Sequence, residues 1–211
     1  MNIAVLVSGG GTNLQALIDY ERQEQNCPYH IAVVMSDRKA AYALERARNA
    51  GIPVELVGPY AVLGKERAQT AGKEEKRAAV SGRVLEVCRS YHADGVVLAG
   101  WLTVLGGELL TAYTGRIINL HPALLPEFGG EGMWGHHVHE AVLAAGRKES
   151  GCTVHLVDAG CDTGRILVQR RVPVLPDDTP DSLYARIAPE EHKAIVEGAC
   201  MLAAMTERSA I

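Results

Sequence analysis

Residues 2–23, NIAVLVSGGGTNLQALIDYERQ, join a short apolar run to a glycine-rich turn and then to a segment with helical spacing. The run 2–8 is continuously apolar up to its last residue, which is typical of a strand buried on both faces. After the turn, apolar side chains recur three or four positions apart at Leu14, Leu17 and Ile18. The pattern predicts a buried strand, a tight turn and an amphipathic helix, the first unit of a parallel α/β sheet.

The same alternation of strand and helix continues to residue 120. Apolar runs predict further strands at 30–36, 53–57, 95–100 and 116–120, with helices predicted at 40–51, 73–92 and 105–113. Continuous apolar strands separated by helices are typical of a parallel sheet that is covered on both faces. We therefore expect a Rossmann-like α/β fold with ligands bound at the carboxyl ends of the strands.

The last third of the chain departs from this alternation. Residues 152–157 and 165–174 read as strands joined by a glycine-containing link, which predicts a hairpin or an antiparallel extension of the sheet. A closing helix is predicted over 180–205, interrupted at Pro189. We expect a single domain over residues 1–211, because its length suits one domain of ordinary to large size.

Composition limits the classes of function. Of the 211 residues, 47% are hydrophobic and 22% are charged, and the net charge is −4, with no basic cluster suited to nucleic acid. A small-molecule ligand is therefore expected. The N-terminus has no basic region before its short apolar run, so we expect neither a signal peptide nor a membrane span. An odd number of well-separated cysteines favours reduced thiols and a cytoplasmic location: Cys27, Cys88, Cys152, Cys161 and Cys200.

The glycine loop, SGGGTNL at residues 8–14, suits an anion. Glycines allow a close backbone approach, and the following helix offers free N–H groups and a favourable dipole. Thr12 and Asn13 are candidates to cap that helix or to bond a phosphate oxygen. A dinucleotide site is the alternative, supported by Asp37 after the second strand and opposed by Leu14 where the third glycine belongs. A tight turn without a ligand is a further alternative.

A polar pair ends the strand in RIINLHPALLP, residues 116–126. Asn119 and His121 are two positions apart, so both face one side of an extended chain. An amide that donates to an oxyanion and an imidazole that moves a proton would form a catalytic pair. Loop capping is an equally simple explanation. The loop 155–164 adds Asp158 and Asp162, each of which is either a catalytic acid or a turn residue.

Four stretches taken together closely resemble the phosphoribosylglycinamide formyltransferase family, also called glycinamide ribonucleotide transformylases, in the folate-dependent formyltransferase superfamily. They are residues 1–19, 96–105, 116–126 and 152–174. The most specific element is Asn119-x-His121-Pro122 combined with Asp162-x-Gly164. The resemblance implies transfer of the formyl group of 10-formyltetrahydrofolate, a co-substrate, to the amine of glycinamide ribonucleotide in purine biosynthesis.

The resemblance also implies a role for individual residues. The catalytic residues would be Asn119, His121 and Asp162; the ribonucleotide-binding residues Gly11, Thr12, Asn13 and Glu191; and the folate-binding residues Arg77, Leu102, Thr103, Val104, Leu105 and Asp158. Residues 1–100 would form the phosphate-binding half, and 101–211 the catalytic and folate-binding half. A protonated His121 and the Asn119 amide would stabilise the oxyanion, and Asp162 would assist proton transfer. No metal is implied.

Two segments depart from the family pattern. Residues 58–76 are longer than expected, and the placement of Arg77 depends on this insertion. Residues 127–136 replace a shorter loop after the catalytic histidine. Thr103 stands where the family commonly has arginine, so folate contacts there are expected to differ. We expect 58–72 and 127–135 to be the most flexible segments.

The cluster His136, His137 and His139 raises a metal hypothesis. Its spacing is not a specific ligand pattern and no fourth ligand is evident, so a helix N-terminal turn facing the cleft is the simpler prediction. His137 and His139 match an H-x-H of the family. Trp134 is predicted either to belong to a mobile lid or to pack in an ordinary way.

Other functions differ in what they require. A methionyl-tRNA formyltransferase needs a further C-terminal domain, and a formyltetrahydrofolate deformylase usually has an extra N-terminal one; we expect neither here. A nucleotide-binding module without catalysis would use the glycine loop but would not need the Asn119, His121 and Asp162 set. We expect small-molecule substrates, no nucleic acid or membrane partner, and a monomer or homodimer.

Overall fold

The computed structural model describes residues 1–208. The strands are β1 (Asn2–Val7), β2 (His30–Ser36), β3 (Val54–Leu56), β4 (Gly95–Leu98), β5 (Ile117–His121), β6 (Glu149–Leu156) and β7 (Ile166–Pro173). The helices are α1 (Thr12–Gln23), α2 (Ala43–Asn49), α3 (Pro59–Leu63), α4 (Lys65–Thr70), α5 (Lys73–Ser90), α6 (Glu108–Ala112), α7 (His136–Ala144) and α8 (Pro180–Arg208).

The strands form one seven-stranded sheet in the order β3-β2-β1-β4-β5-β6-β7. The first five run parallel, with β1 between β2 and β4, and β5 beside β4. β6 pairs antiparallel with both β5 and β7. The predicted α/β fold with an antiparallel C-terminal extension is confirmed.

Alternate side chains of β1 face opposite layers of helices. Ile3, Val5 and Val7 pack with residues of α1 and α8, whereas Ala4 and Leu6 pack with residues of α5. Each is fully buried, which is why the run needs no polar residue. Among residues 1–208, no helix combines the length and the apolarity needed to cross a membrane. All five cysteines are free thiols, as predicted.

Two segments differ in secondary structure from the sequence reading. Residues 58–72 hold two short helices that the sequence did not predict, α3 and α4, and Pro59 begins the first of them. The closing helix is not interrupted at Pro189. Leu183 and Ile187 before this proline, and Ile195 after it, are fully buried, so packing on the sheet outweighs the backbone hydrogen bond that the proline cannot donate.

Candidate functional site

Three segments meet at one edge of the sheet, where parallel strands end. β1 leads into the glycine loop, β4 leads into residues 99–105, and β5 ends at His121. Ser8 joins the first two, since its N–H donates to the Gly100 carbonyl at 3.0 Å and its hydroxyl accepts from the Leu102 N–H at 3.0 Å. The topology therefore gathers the predicted site segments in one place.

The structure brings Asn119, His121 and Asp162 together. His121 Nδ1 lies 3.5 Å from Asp162 Oδ2, and Asn119 Nδ2 lies 3.4 Å from Asp162 Oδ1. Asp162 has φ 57°, a left-handed conformation that aspartate tolerates better than most residues. The backbone of this loop thus turns an acid from the end of β6 toward the end of β5.

Asp162 is held as a carboxylate. Burial by itself raises the pKa of Asp162, but the contact with His155, the hydrogen bond from the Gly130 N–H and the nearby His121 bring that pKa below its ordinary value. The Gly130 N–H donates to Oδ2 at 3.0 Å. At neutral pH the centre of the cluster therefore carries a negative charge.

His121 is buried at the centre of the cluster. Its side chain is 4% exposed, and burial lowers its pKa, although Asp162 acts in the opposite direction. Nε2 lies 2.8 Å from the carbonyl of Phe128, which can only accept, so Nε2 carries a hydrogen, and Nδ1 faces Asp162. Burial thus disfavours the imidazolium, and the protonated His121 expected during the reaction stays a prediction.

His155 is a member of the cluster that the sequence did not reveal. Its Nε2 lies 3.1 Å from Asn119 Nδ2 and 3.4 Å from Asp162 Oδ1. Its Nδ1 lies 2.9 Å from the carbonyl of Leu156 and must donate there, which leaves Nε2 to accept from Asn119. The sequence signal was weak, because a histidine within an apolar strand also suits a structural role.

The glycine loop is shaped by close packing. Gly11, the residue before α1, has φ 74°, and a Cβ there would lie 2.6 Å from the Cβ of Ala43. Among residues 1–208, no side chain caps α1, which disfavours capping as the role of Thr12 and Asn13. The first N–H groups of α1 therefore have no intrahelical or side-chain partner. Leu14 is fully buried in the core, which disfavours the dinucleotide alternative.

Asn13 instead reaches the closing helix. Its Nδ2 donates to Glu191 Oε2 at 3.1 Å, while its Oδ1 is buried and has no hydrogen-bond partner within residues 1–208. Glu191 is 5% exposed, and burial raises its pKa against the lowering effect of the Asn13 bond. Two residues predicted to bind the ribonucleotide are thus in direct contact across 178 positions of sequence.

Residues 102–105 are fixed by bonds on both sides. The Thr103 hydroxyl donates to Asp37 Oδ2 at 2.7 Å, and Arg77 Nε donates to the Leu105 carbonyl at 3.0 Å. Leu102 and Val104 are exposed, whereas Leu105 is buried. Arg77 thus supports the backbone of this segment. Asp37 Oδ2 accepts a hydrogen bond from Thr103, so this oxygen is not available to bind a ribose.

The two acids of the 158–164 loop have different surroundings. Asp158 Oδ1 accepts from the Thr163 hydroxyl at 2.7 Å and from the Gly160 N–H at 2.9 Å, so it closes the turn. Asp162 belongs to the polar cluster. One hollow beside this loop is lined by Leu110, Thr111, Thr114, Gly115, Leu156, Val157, Asp158, Ala159, Gly164 and Arg165. A second is lined by Leu125, Pro126, Gly129, Gly130, Cys161, Asp162, Thr163, Gly164 and Ile166.

The three histidines near the start of α7 are not equivalent. His136 begins the helix, as the turn prediction required, and it is exposed like His137. His139 is 1% exposed, and burial, with His136 and His121 nearby, lowers its pKa to about 4. Within residues 1–208, no group of three or more His, Cys, Asp or Glu side chains is arranged to hold a metal ion. Trp134 is half-exposed and packs edge-on against His137.

Several proteins of known sequence resemble this chain over most of its length. A phosphoribosylglycinamide formyltransferase of Escherichia coli is 35% identical over 192 residues, which cover 91% of this chain and 82% of that protein. The chloroplastic phosphoribosylglycinamide formyltransferase of Vigna unguiculata is 40% identical over 196 residues. The chain spans 58% of the length of that plant protein and 92% of its own residues align.

The fold is also similar to that of a solved structure over nearly the whole chain. The crystal structure of glycinamide ribonucleotide transformylase 1 from Symbiobacterium toebii superposes with a TM-score of 0.84 at 41% identity, covering 96% of this chain and 87% of that one. Residues 1–198 match the family model described as Formyl transferase. The chain therefore belongs to the formyl transferase family.

Proposed function

We propose that the protein transfers the formyl group of 10-formyltetrahydrofolate to the amine of glycinamide ribonucleotide, a step of purine biosynthesis. One observation carries the proposal: Asn119, His121 and the ionised Asp162 lie at the sheet edge that also bears the glycine loop. The names of the similar proteins support the same activity. A binding module would not require the buried polar cluster.

The proposed reaction uses the cluster as a proton-handling centre. The ribonucleotide amine attacks the formyl carbon, the new C–N bond forms, and the carbonyl oxygen becomes an oxyanion. Asn119 Nδ2 has two hydrogens, one held by His155 and the other held weakly by Asp162 at 3.4 Å. The weakly held hydrogen is the one available to the oxyanion.

Asp162 and His121 would then handle the proton of the amine. The carboxylate accepts that proton, directly or through water, because its lowered pKa keeps it ionised. His121 Nδ1, 3.5 Å from Asp162, would share this proton with the carboxylate, so that the imidazole carries the positive charge. The bond from the formyl carbon to the folate nitrogen breaks as the proton is delivered to that nitrogen.

We assign the substrates to the two sides of Asp162. The glycine loop with Gly11, Thr12, Asn13 and Glu191 would hold the ribonucleotide, its phosphate on the free N–H groups of α1. Leu102, Thr103, Val104 and the hollow beside Asp158 would take the folate, with Arg77 and Leu105 shaping that wall. We further propose that the protein is a monomer or a homodimer, that it needs no metal, and that it acts in the cytoplasm.

Product identity distinguishes this proposal from its alternatives. The purified protein is incubated with 10-formyltetrahydrofolate, with and without glycinamide ribonucleotide, and products are identified by mass spectrometry. We expect a formylated ribonucleotide and tetrahydrofolate only when both substrates are present. Formate released without the ribonucleotide would indicate a deformylase, and binding of the ribonucleotide without turnover would indicate a binding module.

A further inference from the structure

Helix α2 holds the glycine loop from the side, through bonds to its carbonyl groups. Arg46 Nε donates to the Gly10 carbonyl at 2.8 Å, and Arg46 Nη1 donates to Gln15 Oε1 at 3.1 Å. The N–H of Ala43 donates to the Gly9 carbonyl at 3.1 Å. One arginine therefore joins α2 both to the loop and to the first turn of α1.

These bonds determine which backbone groups the loop presents to a ligand. A carbonyl oxygen directed at an anion would repel it, whereas an N–H group attracts it. Because the Gly9 and Gly10 carbonyls are bonded to α2, they point away from an anion at the start of α1. A Cβ built at Gly9 or Gly10 would meet no atom within 4 Å, so the loop is open on its outer face.

The Arg46 side chain is itself fixed in place. Its guanidinium carbon lies 5.0 Å from the centre of the Tyr42 ring, a cation–π arrangement. A guanidinium can serve two acceptors at once in a rigid plane, and a lysine ammonium, as a point donor on a flexible stem, cannot reproduce that geometry. The arrangement therefore depends on arginine and not only on a positive charge.

We propose that Arg46 is a positioning residue for the ribonucleotide phosphate, which it serves by turning the Gly10 carbonyl away from the site. The inference rests on the proposed function, since that function puts the phosphate at this loop. Arg46 does not need to touch the reacting atoms, so its effect belongs to ribonucleotide affinity and not to the chemical step.

Steady-state kinetics of R46Q and R46K test the inference. We expect KM for the ribonucleotide to rise about tenfold or more in both variants, with kcat and KM for the folate within about twofold of wild type. R48Q is the matched control, because Arg48 lies on the same helix, is exposed and, among the described residues, forms an ion pair only with Glu45, at 3.5 Å. Full recovery in R46K would mean that charge alone matters and would overturn the inference.

A binding measurement separates this inference from the proposed function. Titration calorimetry with inorganic phosphate should give about tenfold weaker binding in R46Q than in wild type and R48Q. Weaker phosphate binding in R46Q, combined with no turnover of the ribonucleotide by wild type, would contradict the proposed function and leave the role of Arg46 intact. Equal phosphate affinity in wild type and R46Q, or no binding by wild type, would overturn the inference. If R46Q does not fold, R46K decides in the same assay.

Discussion

Single residues of the site act through the position of individual hydrogens. The Leu156 carbonyl obliges His155 Nδ1 to donate, so Nε2 is left to accept from Asn119. This fixes the plane of the Asn119 amide and determines where its second hydrogen points. His155 is thus expected to position Asn119 and to help keep the pKa of Asp162 low.

The His155→Leu substitution tests that role. We expect kcat to fall about tenfold to a hundredfold with a small change in KM, because the Asn119 amide loses the acceptor that orients it. The pKa of Asp162 should rise, since a contact that lowers it is lost, so the loss of activity on the acid side of the profile should begin at a higher pH. The pH dependence of kcat/KM for wild type and variant measures this.

The matched control is His137→Asn, because His137 is exposed and lies outside the cluster. It should keep both the wild-type kcat and the wild-type acid limb. A His155→Leu protein with an unshifted pH profile and near-normal kcat would show that His155 only fills space.

A second histidine links pH to stability. His139 is buried and its pKa is lowered to about 4, so the folded state resists protonation more than the unfolded state does. The stability that the folded state gains by keeping His139 neutral is complete above a pH of about 6.5, the pKa of this histidine in the unfolded chain. It is lost as the pH falls from there toward about 4. The loss amounts to at most about 3 kcal/mol.

Urea denaturation between pH 7.5 and pH 4.5 checks this expectation. The free energy of unfolding should fall more steeply with decreasing pH in wild type than in His139→Leu. His137→Asn should follow the wild-type slope, because its side chain is exposed. Parallel slopes for wild type and His139→Leu would contradict the assignment.

At the scale of elements, the contact between α2 and the glycine loop controls the phosphate side. Gly11 combines φ 74° with a Cβ position 2.6 Å from Ala43, so an alanine there would both strain the backbone and push α2 away. We expect Gly11→Ala to lower the free energy of unfolding by about 1–3 kcal/mol. Denaturant unfolding measures this, and Gly10→Ala, with no atom within 4 Å of its Cβ, should stay near wild type.

An unaltered stability in Gly11→Ala would mean that the loop readily adopts another conformation. In that case its glycine-rich sequence would not be explained by packing on α2.

Element predictions from sequence were good where one pattern dominated. Continuous apolar runs gave the parallel strands, and helical spacing gave α1 and α5. The effect of Pro189 was misjudged because the sequence shows the helix hydrogen bond that a proline removes. It does not show that Leu183 and Ile195 on either side are buried against the sheet. The two helices within residues 58–72 were missed because short helices carry little periodicity and depend on their neighbours.

At the scale of the whole molecule, topology assembles groups that are far apart in sequence. The order of the sheet puts the ends of β1, β4 and β5 side by side, and the antiparallel β6 returns the chain so that Asp162 reaches His121. Asn119, His121 and Asp162 were predictable from their residue types and the family resemblance. His155, the lowered pKa of His121 and the bond of Arg77 to Leu105 were not, because each depends on distances between distant segments.

The initial rate of ribonucleotide-dependent tetrahydrofolate release, followed by absorbance in wild type and Asp162→Asn, tests the central claim most directly. We predict turnover in wild type only when glycinamide ribonucleotide is present, and a loss of about a hundredfold or more in the variant with unchanged far-ultraviolet circular dichroism. Wild-type protein without ribonucleotide-dependent turnover, or a variant with near-normal rate, would contradict the claim.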